Sequence, residues 1–459
     1  MKDLNQPPVG DEKVVFDDGV YYSDPKLYSI AQKAKSLPLE KFSNLFHHVD
    51  EERVKKAIAN INRRSASGPD EINVKMAINH SDWLLPKHLD AIHKRKYEAP
   101  QSRRVFIPKT NGDKRPLSIG NVVDRGIQGA LREVLEHIYE QDFLNSSFGF
   151  RPKRSAHNAL ATFNHGIRNE NLKYFLEVDL ENFFGTINHR WLMKFLGHRI
   201  SDKRVLTVIK SWLEAGIIEE GKVIKNDVGT AQGGSISPLL ANIYLHYVLD
   251  IWFEKKIKPR MKGRSRLIRY ADDFVVSFEN ENDCTEFKAL LNARLNQFEL
   301  KINDSKTHVT KLGPPKAGDR DGNRRRHVSL LGFKIFLANT RSGNGAKIVY
   351  KTNGKKISQS LTLIKEKLWK MMHLPVEYQA RYLNSVIRGH LNYFGMPGNG
   401  SSLVRFRNMV MELWRRMLSR RSQVSKVSWD EMDRLKIQLE IVPIKIKIPY
   451  GKLSSFVIV

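Results

Sequence analysis

Cysteine is almost missing from this chain of 459 residues; Cys284 is its one thiol. That excludes an intrachain disulfide framework and any zinc site built from cysteine pairs, and it suits a reducing compartment. Long apolar runs are missing too. No stretch of about 18 apolar residues occurs, so no transmembrane helix is expected. The opening "MKDLNQPPVGDEKVV" lacks the apolar core of a secretory signal. Acidic residues are in deficit: 49 Asp and Glu stand against 77 Lys and Arg, a formal net charge of +28. Such a surplus repels itself unless a polyanion shares the surface. Nucleic acid is the leading partner, no membrane partner is expected, and a cytoplasmic location fits.

The rest of the composition is that of a folded protein. Hydrophobic residues make up 41% and charged residues 27%, enough for a sizeable core in two or three domains or subdomains. The periodicity predicts a helix over 39–59, a basic loop over 63–74, and a β-hairpin over 103–120 with its turn at Asn111-Gly112. A helix follows over 124–141. "KYFLEVDLENFFGTINH" reads as a strand opening into a helix, and "VGTAQGGSISPLLANIYLHYVLDIWF" as a Gly-rich loop before a long amphipathic helix. "RLIRYADDFVVSFEN" reads as strand, turn, strand; 283–300 reads as a helix and "HVSLLGFKIFL" as a strand pair. A basic loop at 313–327 and a Gly- and Lys-rich hairpin at 342–356 precede a mostly helical region from 357 to about 425. The domain boundary is placed near 350–357.

Two carboxylates, Asp272 and Asp273, stand side by side between apolar runs of the predicted hairpin. Buried adjacent carboxylates are costly unless neutralised, and a divalent cation is the usual neutraliser. Neighbours on a strand point to opposite faces, so a further ligand has to come from elsewhere. Asp179, where the apolar strand Tyr174–Val178 ends, is the candidate. A strand-end aspartate beside an Asp-Asp turn can hold two metals, which together clamp the attacking and leaving oxygens of a phosphoryl transfer. An Asp-Asp pair alone is more often an ordinary turn.

Five segments tip the balance. "IPKTNGDKRPLSIG", "SFGFRPKRSAHNAL", "VDLENFF", "GTAQGGSISPLLANIYLH" and "YADD" occur in this order. Together they resemble the polymerase motifs of reverse transcriptases, specifically those encoded by bacterial group II introns. The resemblance runs from about Asn60 to about Phe336 and continues in "RYLNSVIRGHLNYFG" and "LWRRMLSRRSQVSKVSWDEM", similar to that family's thumb, or maturase, region.

The resemblance implies an α+β right-hand polymerase: fingers, a palm with an antiparallel sheet, and an all-helical thumb. On it the chain divides into an N-terminal extension (1–60), fingers and palm (61–340), a basic hairpin or linker (341–356), a thumb/maturase domain (357–435) and a C-terminal tail (436–459). Asp179, Asp272 and Asp273 resemble the catalytic metal-binding triad, joined by the backbone carbonyl of Leu180. The ions implied are two Mg²⁺, with Mn²⁺ as an alternative. Lys109, Arg115, Gln232 and Lys306 resemble contacts to the incoming dNTP and its surroundings. Phe184 resembles the aromatic gate that clashes with a ribose 2′-hydroxyl, and its neighbour Phe183 is the better core residue. Arg63, Arg64, Gly68, Arg151, Lys153 and Arg154 resemble positions that grip template RNA and the DNA primer or cDNA. Two departures stand out: Ala231 replaces the family's usual Pro, and Gly185 its usual Asp.

In the helical region Met409, Val410, Leu413, Trp414 and Met417 form an apolar stripe that reads as core. The opposite face carries Arg415, Arg416, Arg420 and Arg421, a phosphate-contact surface whose binding weakens steeply with salt. One cysteine does not supply the pairs of the H-N-H endonuclease usual in the family, so priming from a replication fork or from another enzyme's cut is expected. The expected function is RNA-directed DNA polymerisation with assistance to intron splicing and retrohoming. Two alternatives are a splicing factor with dispensable polymerase activity and a domesticated enzyme of phage defence or CRISPR adaptation.

Overall fold

The computed structural model describes residues 24–108, 114–219, 222–224, 228–230, 233–313, 326–340, 345–422, 424 and 426–458, with short strands β1 (Val14–Val15) and β2 (Tyr21–Tyr22). The chain forms two units and passes between them several times.

The first unit is Met1–Leu144, Asn182–Trp252 and Arg294–Leu300. Its helices are α1 (Pro25–Ser36), α2 (Glu51–Ala59), α3 (Val74–Asn79), α4 (Ser81–His93), α5 (Val122–Asp142), α7 (Phe183–Thr186), α8 (His189–Leu196), α9 (Lys203–Glu214) and α10 (Ser237–Leu245). The fully buried stripe Ile127, Ala130, Leu131, Val134, Leu135 and Ile138 makes α5 its central helix. Strands β3 (Ser102–Pro108), β4 (Lys114–Ile119), β6 (Ile217–Glu219) and β7 (Lys222–Ile224) form a sheet in the order β4-β3-β6-β7. The expected hairpin is β3–β4, antiparallel with Ile107 opposite Arg115; its Asn-Gly turn lies outside the described residues.

The second unit is Asn145–Glu181, Phe253–Ala293 and Lys301–Val459. Strands β5 (Tyr174–Val178), β8 (Ser265–Tyr270), β9 (Asp273–Phe278) and β10 (His308–Lys311) form an antiparallel sheet in the order β10-β5-β9-β8. A second sheet holds β11 (Val328–Leu330), β12 (Phe333–Asn339) and β13 (Ala346–Thr352) in chain order. The helices are α6 (Ala156–Asn169), α11 (Glu281–Gln297, whose last turn belongs to the first unit), α12 (Gly354–Lys370), α13 (Val376–Phe394), α14 (Gly400–Ser419), α15 (Trp429–Gln438) and α16 (Tyr450–Leu453). One core joins Phe163 of α6, Phe175 of β5 and Val275 of β9 to Phe333, Tyr350 and Ile448. A second joins α12, α13 and α14 through Leu368, Leu383, Ile387, Val410 and Trp414. No helix among the described residues is long and apolar enough to cross a membrane.

Three local readings change. The helix expected over 39–59 begins only at Glu51, because the Asp50 carboxylate accepts from the Arg53 amide (2.8 Å) and starts it there. The segment before it is drawn into a bridge with Ile200, the Phe42 amide donating to the Arg199 carbonyl at 2.7 Å. Helix α10 is buried all round rather than amphipathic and widens into i→i+5 turns over His246–Asp250. Among the described residues of 342–356 the expected hairpin does not form: β13 pairs with β12, and Asn353 caps α12 by accepting from the Lys355 amide at 3.1 Å. Asn-Gly signals a turn or a helix start equally well until the strand's partner is known.

The chain's last segment, which sequence left unplaced, packs into the second unit. Ile448 and Leu453 enter the core, Asn158 donates to the Phe456 carbonyl (2.9 Å), and the Ile458 amide donates to Thr162 Oγ1 (3.0 Å). The basic loop 314–325 lies outside the described residues.

Candidate active site

The site is built where two strand ends meet. β5 runs antiparallel to β9 with Val178 opposite Phe274, so one further step of the same register sets Asp179 across from Asp273. β9 begins at Asp273, paired with Tyr270, and the two residues between them close the hairpin. Ala271 in that turn has φ +58°, the left-handed region that a two-residue hairpin turn demands. Asp272 follows it directly. Three carboxylates from positions nearly a hundred residues apart thus converge at the end of one sheet.

The cluster has electrostatic consequences. Asp273 is open to solvent on one side yet set among enough protein to be desolvated. That desolvation, then Asp272, then Asp179, push its carboxyl up to about 6, with Lys356 and Lys306 opposing. Lys306 Nζ donates to Asp179 Oδ2 at 2.8 Å. The Asp179 carbonyl accepts from Asn303 (2.8 Å), and Glu181 donates to the Lys301 carbonyl (2.9 Å). These two bonds flank the Leu180–Ile302 bridge, so the Leu180 carbonyl points to the other side of its strand.

Among the described residues no three Asp, Glu, His or Cys side chains stand at metal-ligand spacing. Lys306 pairs with one oxygen of Asp179. The donor set still fits Mg²⁺ chemically: hard carboxylate oxygens whose mutual repulsion raises proton affinity are what a divalent cation relieves.

Glu177 holds the strand that carries Asp179. It is buried, accepts from the Ser329 amide (2.8 Å) and Thr310 Oγ1 (3.2 Å), and pairs with His308 Nε2 (3.2 Å), while burial raises its carboxyl. Two further residues near the carboxylates escaped the sequence reading. Lys356, in the first turn of α12, acts on Asp273 electrostatically. Tyr393 of α13 donates to the Leu331 carbonyl at 3.0 Å; burial first, then Tyr270 and Asp273, push its hydroxyl up to about 12. Neither carried a local signal, since a lysine in "TNGKK" and a tyrosine in a helical stripe look ordinary.

In the first unit, Phe183 is buried and Phe184 is only partly so, their rings edge to face at 5.5 Å. The Phe184 carbonyl accepts from the Thr230 amide at 2.7 Å, lacing the segment to the loop before α10. Gly233 in that loop has φ +119°, and a Cβ there would lie 2.5 Å from the Ser118 carbonyl. Arg115 is exposed on β4; Lys109 and Gln232 lie outside the described residues. Gly68 stands at a close approach: a Cβ would sit 2.2 Å from Asn121 Oδ1. Arg63 and Arg64 are exposed beside it.

In the second unit, Arg151 is buried and donates to the Ser147 carbonyl (2.9 Å), so it is not the exposed cation that a phosphate contact calls for. Lys153 is exposed, and Arg154 bonds Asn145 Oδ1 at 2.8 Å. On α14, Val410, Trp414 and Met417 are core while Met409 is partly exposed. Arg415 and Arg416 share Glu412, so both guanidinium charges have an acidic partner. Arg415 also stacks on Trp429 and Arg420 on Trp369, and Arg421 donates to the Leu374 carbonyl.

Residues 107–335 match the family described as reverse transcriptase (RNA-dependent DNA polymerase). The chain is similar to Protein YkfC of Escherichia coli (strain K12), 31% identical over 60% of this chain and 77% of that protein. It is 28% identical to the group II intron-encoded protein LtrA of Lactococcus lactis subsp. cremoris, over 71% of this chain and 66% of the relative. A match to nuclear intron maturase 2, mitochondrial, of Arabidopsis thaliana is 26% identical and covers 35% of this chain and 26% of that protein.

Proposed function

The chain belongs to the reverse transcriptase family, in its group II intron-like branch, and on that premise we propose that it is an RNA-directed DNA polymerase that also binds intron RNA as a maturase. What supports the reading is the β5–β9 register, whose last pair, Val178 with Phe274, stands one step from Asp179 and Asp273, together with the bond from Lys306 to Asp179. Asp179, Asp272, Asp273 and the Leu180 carbonyl would hold Mg²⁺, which when bound offsets charge on phosphate oxygens and favours the ionised primer 3′-hydroxyl. In the reaction the 3′-oxygen forms a bond to the α-phosphorus of a dNTP, the α–β bridging bond breaks, and pyrophosphate leaves.

The chain's own residues have distinct parts. Lys306 balances charge beside Asp179, and Arg115 with Lys109 contacts the triphosphate from the fingers hairpin. Phe184 excludes the ribose 2′-hydroxyl, and Gln232 with Gly233 borders the nascent base pair. The first unit supplies the fingers, the sheet β10-β5-β9-β8 the palm, and α12–α15 the thumb of a right-hand polymerase. Arg63, Arg64, Lys153, Arg154, Arg416 and Arg420 contact phosphates of template or intron RNA, positioning it rather than reading sequence.

Primer extension on an RNA template with dNTPs and Mg²⁺ tests this. Wild type extends the primer; Asp272→Asn/Asp273→Asn does not, while its RNA affinity stays close to wild type. Extension by the double variant would refute the site. No extension by either protein, with tight RNA binding, would leave a splicing factor.

A further inference from the structure

Arg269, the residue that precedes "YADD", is fully buried in a mostly buried strand. A buried charge is costly unless it is well hydrogen-bonded, and an aliphatic residue would fill the same strand position without that cost. Two bonds of the guanidinium diverge. Nη1 donates to the Ala271 carbonyl at 3.0 Å, and Nη2 donates to Ser147 Oγ at 2.8 Å. The first acceptor belongs to the peptide that leads into Asp272. The second lies on the segment before α6.

That segment runs alongside the end of β8. The Arg269 amide donates to the Ser146 carbonyl (2.8 Å), and the Phe148 amide donates to the Arg269 carbonyl (2.9 Å), a parallel bridge centred on Ser147. One residue on, Gly149 touches the turn itself: a Cβ there would lie 2.4 Å from the Ala271 nitrogen and 2.9 Å from the Tyr270 carbonyl carbon. Arg151 ties the segment from behind through the Ser147 carbonyl. The turn with its left-handed Ala271 is therefore gripped from its inner side by Arg269 and along its backbone by Ser146–Gly149.

Resting on the polymerase reading above, we infer that Arg269, anchored by Ser147 and backed by Gly149, is a positioning residue that fixes the direction in which Asp272 and Asp273 leave the hairpin turn. A planar guanidinium suits this task because its donors diverge at a fixed angle; a lysine ammonium reaches one of the two acceptors without constraining the other. The grip acts on peptide orientation, so its loss displaces carboxylates without removing any of them.

The test uses the full chain with Ser147→Ala, Arg269→Lys and Gly149→Ala, assayed by single-nucleotide primer extension, primer–template binding, thermal melting and hydrogen exchange of the 266–274 peptide. Small misplacements near reacting atoms cost large factors in rate: Ser147→Ala should lose about tenfold in kcat and Arg269→Lys about a hundredfold, with KM for dNTP and Kd for primer–template within about twofold. Amide exchange across 270–273 should quicken in both. Gly149→Ala, which leaves every hydrogen-bonding side chain in place, should lose kcat in the same selective way. Wild-type kcat in both Ser147→Ala and Arg269→Lys would overturn the inference. So would losses that merely follow the melting temperature and primer–template affinity, since those mark a structural role alone. Absence of extension by the wild-type protein would overturn the polymerase reading and this inference with it, which separates the two failures.

Discussion

Replacing Lys306 by methionine keeps most of the side chain's length and removes its charge. The pair it forms with Asp179 is short, 2.8 Å, but open: the lysine side chain is 63% exposed and the aspartate 32%. At that distance the bare Coulomb attraction is about 1.5 kcal/mol in bulk water and several times that at the lower effective dielectric of a protein surface. Ordering of two side chains and salt screening reduce such exposed pairs to about 0.2–1 kcal/mol. Stability should therefore barely move, with melting lowered by about 2 °C or less. Activity should move much further. Lys306 also opposes the raised proton affinity of Asp273, so it is a counter-charge for the whole cluster. A cation lost from beside developing phosphate charge costs about 10²-fold or more in kcat. Single-turnover extension and a melting curve on the same preparation decide the matter. A fall in stability of several kcal/mol with kcat intact would refute the argument and make Lys306 a structural tie between Asp179 and the 303–307 turn.

Other perturbations have equally definite outcomes. Phe184→Ala should raise rNTP incorporation relative to dNTP by about tenfold or more, measured as a ratio of kcat/KM values; an unchanged ratio returns Phe184 to packing. Trp414→Phe removes the Nε1 donor to Gln379 Oε1 (2.9 Å) inside the helical core and leaves that oxygen buried without it. Together with the lost ring volume this should cost about 2–4 kcal/mol in denaturant melts, with RNA affinity at low temperature retained. His390 lies stacked 3.7 Å from Phe406, 8% exposed, and burial pushes its imidazole down to about 4. Its folded value is below its unfolded one, so its contribution to stability is complete above about 6.5 and fades as pH falls toward 4. Between pH 7.5 and 4.5 wild type should lose about 2–3 kcal/mol more than His390→Phe; parallel pH curves would contradict the burial argument.

Sequence alone carried the local chemistry. Apolar runs on either side of Asp272-Asp273 gave the hairpin, and β8 and β9 pair around it. The stripe Ile127 to Ile138 gave α5, and the helical period after residue 357 gave α12, α13 and α14. The order of five motifs gave the family. These signals depend on neighbours a few residues apart, where period and turn chemistry act directly on the backbone.

What sequence could not carry was partnership across distance. Whether Asn353-Gly354 makes a turn or caps a helix was settled by β12 claiming β13 as its neighbour. The helix expected before Glu51 was lost because the Phe42 backbone found Arg199. Arg151, read as a phosphate contact, was drawn inward by the Ser147 carbonyl. Arg269, surrounded in sequence by strand-forming residues, became a grip on the turn only once the 146–149 segment lay beside it. Asp179 and Asp273 were each recognisable by position, one at the end of a predicted strand and the other in a predicted hairpin turn. Bringing them to one sheet end required the register of β5 against β9, a choice of partner between strands distant in sequence that no local signal names.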